Sequence, residues 1–375
     1  MPFLDSIPWA MLAWSVAKAV FVIFCVVLPM VSYTVYAERR ISALIQDRIG
    51  PNRTGFPLSL LGFKKDFSPF LGGLGQPVAD AVKFLLKEDF VPAHVNKLYF
   101  WLAPALAMMP AIVTLAAIPF GSEIFGTKLV VADINVGLLF MFAISSVGVY
   151  GIVLAGWSSN SKYPFLGGIR STSQMISYEL CMGLSAIPVL LICSSTSLTK
   201  IVDYQIANGW LLLPITDGHL GFREALLFVP VLIAFITFSI SMFAETNRLP
   251  FDLPESETEL VAGYHTEYSS MKFALFFLGE YTAMIAGSAL IVVLFFGGWH
   301  VPFLPSGANG NWFWGLVSIG TFFGKVAVLL GIFIWVRWTV PRFRFDQLMK
   351  IGWLYLFEIA LVNMFLTAGI LAFVK

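Results

Sequence analysis

The 375-residue sequence predicts an all-α polytopic membrane protein with about eight transmembrane helices, plus amphipathic interfacial helices in the loops of one side. Three observations carry that expectation. Charged residues form 12% of the chain, hydrophobic residues 58%, and mean hydropathy is +0.83, whereas a soluble domain carries about 25% charged residues. Apolar runs of about 20 residues, the length that crosses a bilayer, recur along the chain. Basic residues collect in alternate loops. So little charge cannot coat a water-exposed globule, which excludes soluble enzymes, disordered chains and nucleic-acid binders. A net charge of +1 offers no global field to a polyanion. The expected surroundings are a lipid bilayer.

The spans are expected at roughly 12–36, 99–119, 134–156, 172–193, 223–245, 271–296, 313–336 and 351–373. Pro104, Pro110, Pro188 and Pro230 interrupt helical ladders inside them, which is tolerated where neighbouring helices satisfy the freed backbone groups. Asp5 and the lack of a basic leading segment argue against a cleaved signal peptide. An even number of spans puts both termini on one side. The odd-numbered loops hold 16 basic residues, among them Arg39, Arg40, Arg48, Lys83, Arg170, Arg248, Arg337, Arg342 and Arg344. The even-numbered loops hold Lys128 and Lys200, with Arg223 at a span edge. The positive-inside rule then places the odd loops in the cytoplasm or an organelle matrix, and both termini in the opposite compartment.

Metal and disulfide chemistry lack ligands. Cys25, Cys181 and Cys193 all lie in apolar runs, and His94, His219, His265 and His300 fall in or beside loops. No spacing suits a structural zinc, an iron–sulfur cluster or a disulfide framework. Electrons reaching this chain are expected to be carried by another.

The sequence reads as a single membrane domain, 1–375, with three unusual loops. The long first loop, 37–98, contains an amphipathic helix after Gln76-Pro77: Val78, Ala81, Val82, Leu85 and Leu86 share one face, and Asp80, Lys83 and Lys87 the other. Pro77 suits its first turn. On spacing alone, a plain membrane-surface anchor explains this helix equally well. The acidic loop, 245–270, holds Asp252, Glu255, Glu257, Glu259 and Glu267 against the single Arg248. Crowded carboxylates share protons, although an ordinary acidic surface loop has the same composition. The basic and aromatic loop, 337–350, faces Glu38-Arg39-Arg40 at the same membrane side. Together these could hold a polar aromatic headgroup whose tail enters between helices, or simply fix topology.

Ionisable residues inside spans are costly and therefore point to function. Glu179, Glu280, Glu245 and Glu358 are the acids in this position, and Lys18 and Lys325 the cations. Removed from water, such groups can take up and pass on protons; structural Glu–Lys pairing is the alternative, favoured for Glu358 and Lys18 near span ends.

Seven blocks make the sequence specific. They are Ala-Glu-Arg-Arg (37–40), Arg-Ile-Gly-Pro-Asn-Arg (48–53), Gln-Pro-Val-Ala-Asp-Ala-Val-Lys (76–83), Gly-Trp-Ser-Ser-Asn-Ser-Lys-Tyr (156–163), Ser-Tyr-Glu-Leu (177–180), the run from Ala244 to Gly263, and Pro-Arg-Phe-Arg-Phe-Asp-Gln-Leu-Met (341–349). In this order they resemble the H subunit (mitochondrial subunit 1) of the proton-pumping NADH:quinone oxidoreductase, respiratory complex I. The resemblance implies an eight-span subunit that builds much of a quinone chamber and links it to antiporter-like membrane-arm subunits. It implies a proton path through Glu179, Glu245 and Glu280, with Asp80, Asp252, Glu255, Glu257, Glu259 and Glu267 on the chamber side. Glu38, Arg39, Arg248, Arg342 and Arg344 are then expected near the quinone. Quinone, either ubiquinone or menaquinone, would be the substrate, with FMN and iron–sulfur clusters held by peripheral-arm partner subunits. A bacterial cytoplasmic membrane is the expected location, the mitochondrial inner membrane the alternative. Thr54 to Gly75 is longer than the family's usual Gly/Pro-rich turn by about a dozen residues. A membrane subunit of an energy-converting hydrogenase is the nearest rival reading. A stand-alone cation transporter is the other, though no internal repeat supports it.

Overall fold

The computed structural model describes residues 9–52, 54, 73–124, 127–213, 222–253, 261–302 and 312–373. Glu255, Glu257 and Glu259 lie outside these residues, as does most of the long 54–75 segment. Eight described helices are long and apolar enough to cross a membrane: α1 (Ser15–Ile45), α3 (Lys97–Ala117), α4 (Gly137–Ser158), α5 (Lys162–Cys193), α7 (Ala225–Glu245), α8 (Ser270–Phe295), α9 (Trp312–Thr339) and α10 (Phe345–Phe373). Between them lie two shorter helices, α2 (Gln76–Leu86) and α6 (Leu198–Asn208). A two-stranded antiparallel hairpin pairs β1 (Glu123–Ile124) with β2 (Thr127–Lys128).

The bundle is organised around α8. Its most apolar window is 78% buried, against 11% for α1 and 22% for α10. A helix that is apolar all round belongs inside, and Met284 to Phe295 form an unbroken buried run. Because lipid is as apolar as leucine, close packing rather than water exclusion must hold such helices together. Small residues provide it. A Cβ on Gly151 of α4 would come within 2.5 Å of the Ala107 backbone nitrogen on α3, and one on Gly279 of α8 within 3.1 Å of the Ala107 carbonyl oxygen. Three backbones therefore meet at one alanine. Gly156 makes a similar approach to the Pro164 carbonyl across the α4–α5 turn, where a Cβ would stand 2.6 Å away.

Three spans run past their expected bounds at the basic end, α10 among them because it begins at Phe345. α1 continues to Ile45 and α5 begins at Lys162, so Glu38 to Arg40 ride on a helix and Glu179 sits near mid-helix. Hydropathy stops at the first charges, but backbone hydrogen bonding does not. Just before Pro29, α1 widens into a π-helical turn over Val22–Val27, where the proline would otherwise collide with the preceding turn's carbonyl.

α2 occupies the position expected for an amphipathic helix in the first loop. None of its side chains is fully buried, and it is fastened by polar contacts at both ends. Arg39 Nη1 meets Asp80 Oδ2 at 2.7 Å, and the Ser270 hydroxyl donates to the Phe84 carbonyl at 2.9 Å. Beyond it, Lys272 Nζ donates to both oxygens of Asp89 at 3.0 and 2.9 Å and lies 3.7 Å from the Trp101 ring centre. These contacts pin the first loop to the start of α8.

The chain between α7 and α8 returns through a tight helical turn at Gly263–His265. His265 is buried, with its ring 5.2 Å from Phe273 and 6.3 Å from Phe277 between centroids. Burial pushes its imidazole down to about 4, so it is neutral at physiological pH.

Gly151→Leu forces a side chain into the Ala107 crossing and is expected to destabilise the bundle by about 1–3 kcal/mol; an unchanged thermal midpoint for exposure of the buried Cys181 thiol in detergent would contradict this packing. For His265 the folded value of about 4 lies below the ordinary value of 6.5. The unfolded segment therefore binds the proton first: stability is full above about pH 6.5 and is lost as pH falls toward about 4, by up to about 3 kcal/mol. Hydrogen exchange of residues 261–269 should accelerate across that window, and His265→Gln should flatten the dependence.

Candidate functional site

The end of the bundle that carries the basic loops contains a buried cluster of opposite charges. Glu38 of α1 is 6% exposed and Arg248, three residues past α7, is also 6% exposed. The Tyr281 hydroxyl on α8 donates to Glu38 Oε2 at 2.6 Å, and Arg337 at the end of α9 donates to Glu38 Oε1. Arg248 approaches Glu38 Oε1 at 3.9 Å with one nitrogen and Glu280 Oε2 at 3.1 Å with another. Its guanidinium carbon lies 4.2 Å from the Tyr281 ring centre. Two carboxylates and two guanidiniums from four chain segments thus neutralise one another out of water. That is the condition under which buried charge is tolerated.

Arg248 is aimed by the loop that carries it. Gln174 of α5 is fully buried, and its Nε2 donates to the carbonyls of Ala244 and Phe251, both at 2.8 Å, and to Asn247 Oδ1 at 3.2 Å. One amide therefore fixes both sides of the turn. On its outer edge, Arg342 reaches Asp252 Oδ2 at 3.1 Å, and the Phe343 N–H donates to the Pro250 carbonyl. Burial raises the Asp252 carboxyl above its ordinary range, with Arg342 the largest of the opposing influences.

The Ser-Tyr-Glu block divides its work around the helix. The Tyr178 hydroxyl donates to the Leu348 carbonyl at 2.8 Å, and Trp353 Nε1 donates to the Ser177 hydroxyl at 3.0 Å, both joining α5 to α10. Glu179, about 100° further round, instead meets Ser146 of α4. Glu245 is buried at the end of α7, with one carboxylate oxygen unpartnered among the described residues. Neither Glu179 nor Glu245 takes part in an ion pair among the described residues.

Two cavities flank the charge cluster. The inner one, about 110 Å³, lies among α3, α4, α5, α7 and α8 and is lined by Glu245, Glu280, Thr246, Asn247 and Tyr264 with methionine and alanine side chains. It has room for water beside polar partners. The outer one, about 500 Å³, lies among α1, α2, α8 and the end of α9. Glu38, Arg39, Asp80, Tyr281 and Arg337 supply its polar wall, and Phe84, Phe273, Phe277 and Trp338 its apolar wall. That volume is typical of a small-molecule site. Glu38 and Tyr281 face the outer cavity while Glu280 faces the inner one, so the charge cluster is the partition between them.

Not every expected residue gathers here. Asp80 sits at the outer cavity's rim, paired with Arg39 and accepting from Gln76 Nε2 at 2.8 Å. Glu267 is half-buried and lines neither cavity. Arg344 is exposed and pairs with Asp346 at 3.4 Å, turned away from the cluster. Three residues absent from the expected site belong to it: Tyr281, Arg337 and Gln174. Tyr281 carries a sequence signal, being adjacent to an intramembrane glutamate. Arg337 opens the basic and aromatic loop that the sequence offers either as a headgroup site or as a topology-fixing charge, and Gln174 carries no sequence signal at all. Among the described residues, no group of three or more His, Cys, Asp or Glu side chains is placed to hold a metal ion.

Comparison with known proteins agrees with this architecture over nearly the whole chain. The family described as NADH dehydrogenase matches residues 17–368. An H subunit of the NADH-quinone oxidoreductase of Geobacter metallireducens is 48% identical over 353 residues, covering 93% of this chain and 94% of its own. The corresponding H subunit of Salinibacter ruber is 46% identical over 369 residues, covering 96% and 97%. That of Rhodospirillum rubrum is 44% identical over 366 residues, covering 97% and 96%. With eight spans and matches of this length, the chain belongs to the NADH dehydrogenase family, among the H subunits of NADH-quinone oxidoreductases.

Proposed function

We propose that this chain is the membrane-arm subunit of a proton-translocating NADH:quinone oxidoreductase that forms much of the quinone chamber and the first stretch of the proton path. The observation that carries this reading is the partition: one charge cluster has Glu38 and Tyr281 on the outer cavity and Glu280 on the inner one. A quinone combines a polar aromatic head with an apolar tail, and the outer cavity pairs charged and aromatic walls in the same way. Its entrance would lie between α1 and α2, where Arg39 and Asp80 stand. Electrons would arrive from NADH through FMN and iron–sulfur clusters of the peripheral-arm subunits.

Reducing the quinone adds electrons and requires protons, which changes the charge facing Glu38. That change is transmitted through a shared arginine: Arg248 bonded less to one carboxylate is free to bond more to the other. Glu280 then exchanges its proton with the inner cavity, where Glu245 stands, and Glu179 continues the path toward α4 and the neighbouring membrane-arm subunits. Asp252, held above its ordinary range by burial, is placed to supply protons from the basic end. Glu255, Glu257, Glu259 and Glu267 would extend that supply, while Arg342 holds Asp252 and Arg344 would stand outside the cluster at the basic surface. In this reading the chain sits in a bacterial cytoplasmic membrane, with its basic loops in the cytoplasm and both termini on the periplasmic side.

Glu280→Gln and Glu245→Gln are each expected to slow coupled quinone reduction by about tenfold or more. NADH oxidation by an artificial flavin-site acceptor should stay intact, and unchanged pumping in either variant would remove that residue from the path. Ala81→Trp, on the α2 wall of the outer cavity, is expected to raise the KM for quinone several-fold with flavin-site activity unchanged. Normal quinone kinetics in that variant would move the substrate elsewhere.

A further inference from the structure

The end of α8 opposite the charge cluster is closed by a lysine. Lys325, midway along α9, donates to the carbonyl oxygens of Phe296 at 2.7 Å, Gly298 at 2.9 Å and His300 at 2.5 Å. Three acceptors engage three N–H groups, the full complement of an ammonium and one more than a neutral amine offers. The Trp210 ring covers it, with Nζ 4.3 Å from the ring centre. Gly297 and Gly298, at φ of +70° and +56°, turn the chain so that alternate carbonyls converge on the lysine. Beside it, fully buried Gln205 of α6 donates to the Val293 carbonyl at 2.8 Å and accepts from the Gly297 N–H at 2.9 Å.

Between this cap and the inner cavity lies a dry wall. Leu290 is the last α8 residue to line the cavity, and every residue from Ile291 to Phe295 is at most 2% exposed. We propose that Lys325 is an electrostatic barrier, a buried positive charge that stops protons and other cations from passing along α8 between the outer surface and the Glu245–Glu280 cavity. Without the ammonium, three convergent carbonyls at a helix C-terminus would attract cations instead. With it, the same oxygens hold a charge that repels them, in surroundings where repulsion is weakly screened. Burial, and after it the neighbouring Lys325, push the His300 imidazole down. A pump that stores a proton gradient needs such a seal wherever an acid-lined cavity approaches the outer compartment. The inference rests on the proton-path reading above.

The test separates charge from structural support. The assembled complex carrying Lys325→Gln keeps two donors for the carbonyl cage but loses the charge, whereas Lys325→Arg keeps both. Passive proton flux is measured in liposomes under an imposed pH step, without NADH. Lys325→Gln should raise the flux by about fivefold or more and abolish uncoupler stimulation of quinone reduction, with Lys325→Arg as tight as the unsubstituted complex. A tight Lys325→Gln complex overturns the barrier and leaves the proton path standing, because Glu245→Gln and Glu280→Gln test that path by pumping. Adding Glu245→Gln to Lys325→Gln should suppress the leak; a leak that persists overturns the assignment of the barrier to that cavity. Should Lys325→Gln fail to assemble, His300→Glu places a carboxylate against the intact ammonium from a half-buried loop position. It should also raise the flux, and a tight His300→Glu complex overturns the proposal.

Discussion

Arg248 pairs with two buried carboxylates that come from different helices, and the surrounding structure is arranged to make this possible. A guanidinium and two carboxylates lose their hydration together, which the interior tolerates only if each is met by opposite charge or hydrogen bonds. Glu38 receives Tyr281 and Arg337 in addition to Arg248, whereas Glu280 is paired with Arg248. The unequal support leaves Glu280 as the less committed partner, and it is the one that faces the inner cavity. Remove the arginine and Glu280 is stranded while Glu38 keeps Tyr281 and Arg337; remove one acid and the arginine leans on the other.

Precision in that cluster depends on packing elsewhere. The Gln174 amide sets the height of the Arg248 turn, the glycines at the Ala107 crossing set how close α8 comes to α3 and α4, and Lys272 with Ser270 fixes where α8 starts. None of these residues faces the outer cavity with a charge. Their work is to keep α8, which contributes Tyr281 and Glu280 on successive positions, from sliding or rotating. A rotation of one residue, about 100°, would bring one of the two side chains to the other's direction and turn the other away from both.

The two ends of α8 show opposite treatments of charge in a low-dielectric bundle. At the basic end, acids and arginines are matched and share a wall with both cavities. At the other, a single ammonium is satisfied by three backbone carbonyls and an aromatic face. The first arrangement can redistribute, because Arg248 and Glu38 each have more than one partner. The second is fixed, because all three of its donors are already engaged.

Much of this was legible in the sequence for a definite reason. Hydrophobic runs set the eight spans because a bilayer demands about 20 apolar residues per crossing, and the period-3.6 face of 76–86 set α2 because an interfacial helix must divide its faces. Glu179, Glu245 and Glu280 stood out because charge inside a span is costly and therefore rare. The α6 helix was not anticipated: at 11 residues it is too short to register as a span, although Leu198, Ile201, Val202 and Gln205 share one buried face. Pairing was not legible. That Asp80 answers Arg39, that Arg337 joins Glu38, and that Lys325 ends among carbonyls more than 20 positions away in the chain depends on which helices lie side by side. Hydropathy and charge are properties of each residue and survive in one dimension. Ion pairs and cavities are properties of distances across the bundle, which exist only once the glycine and alanine crossings have brought the helices together.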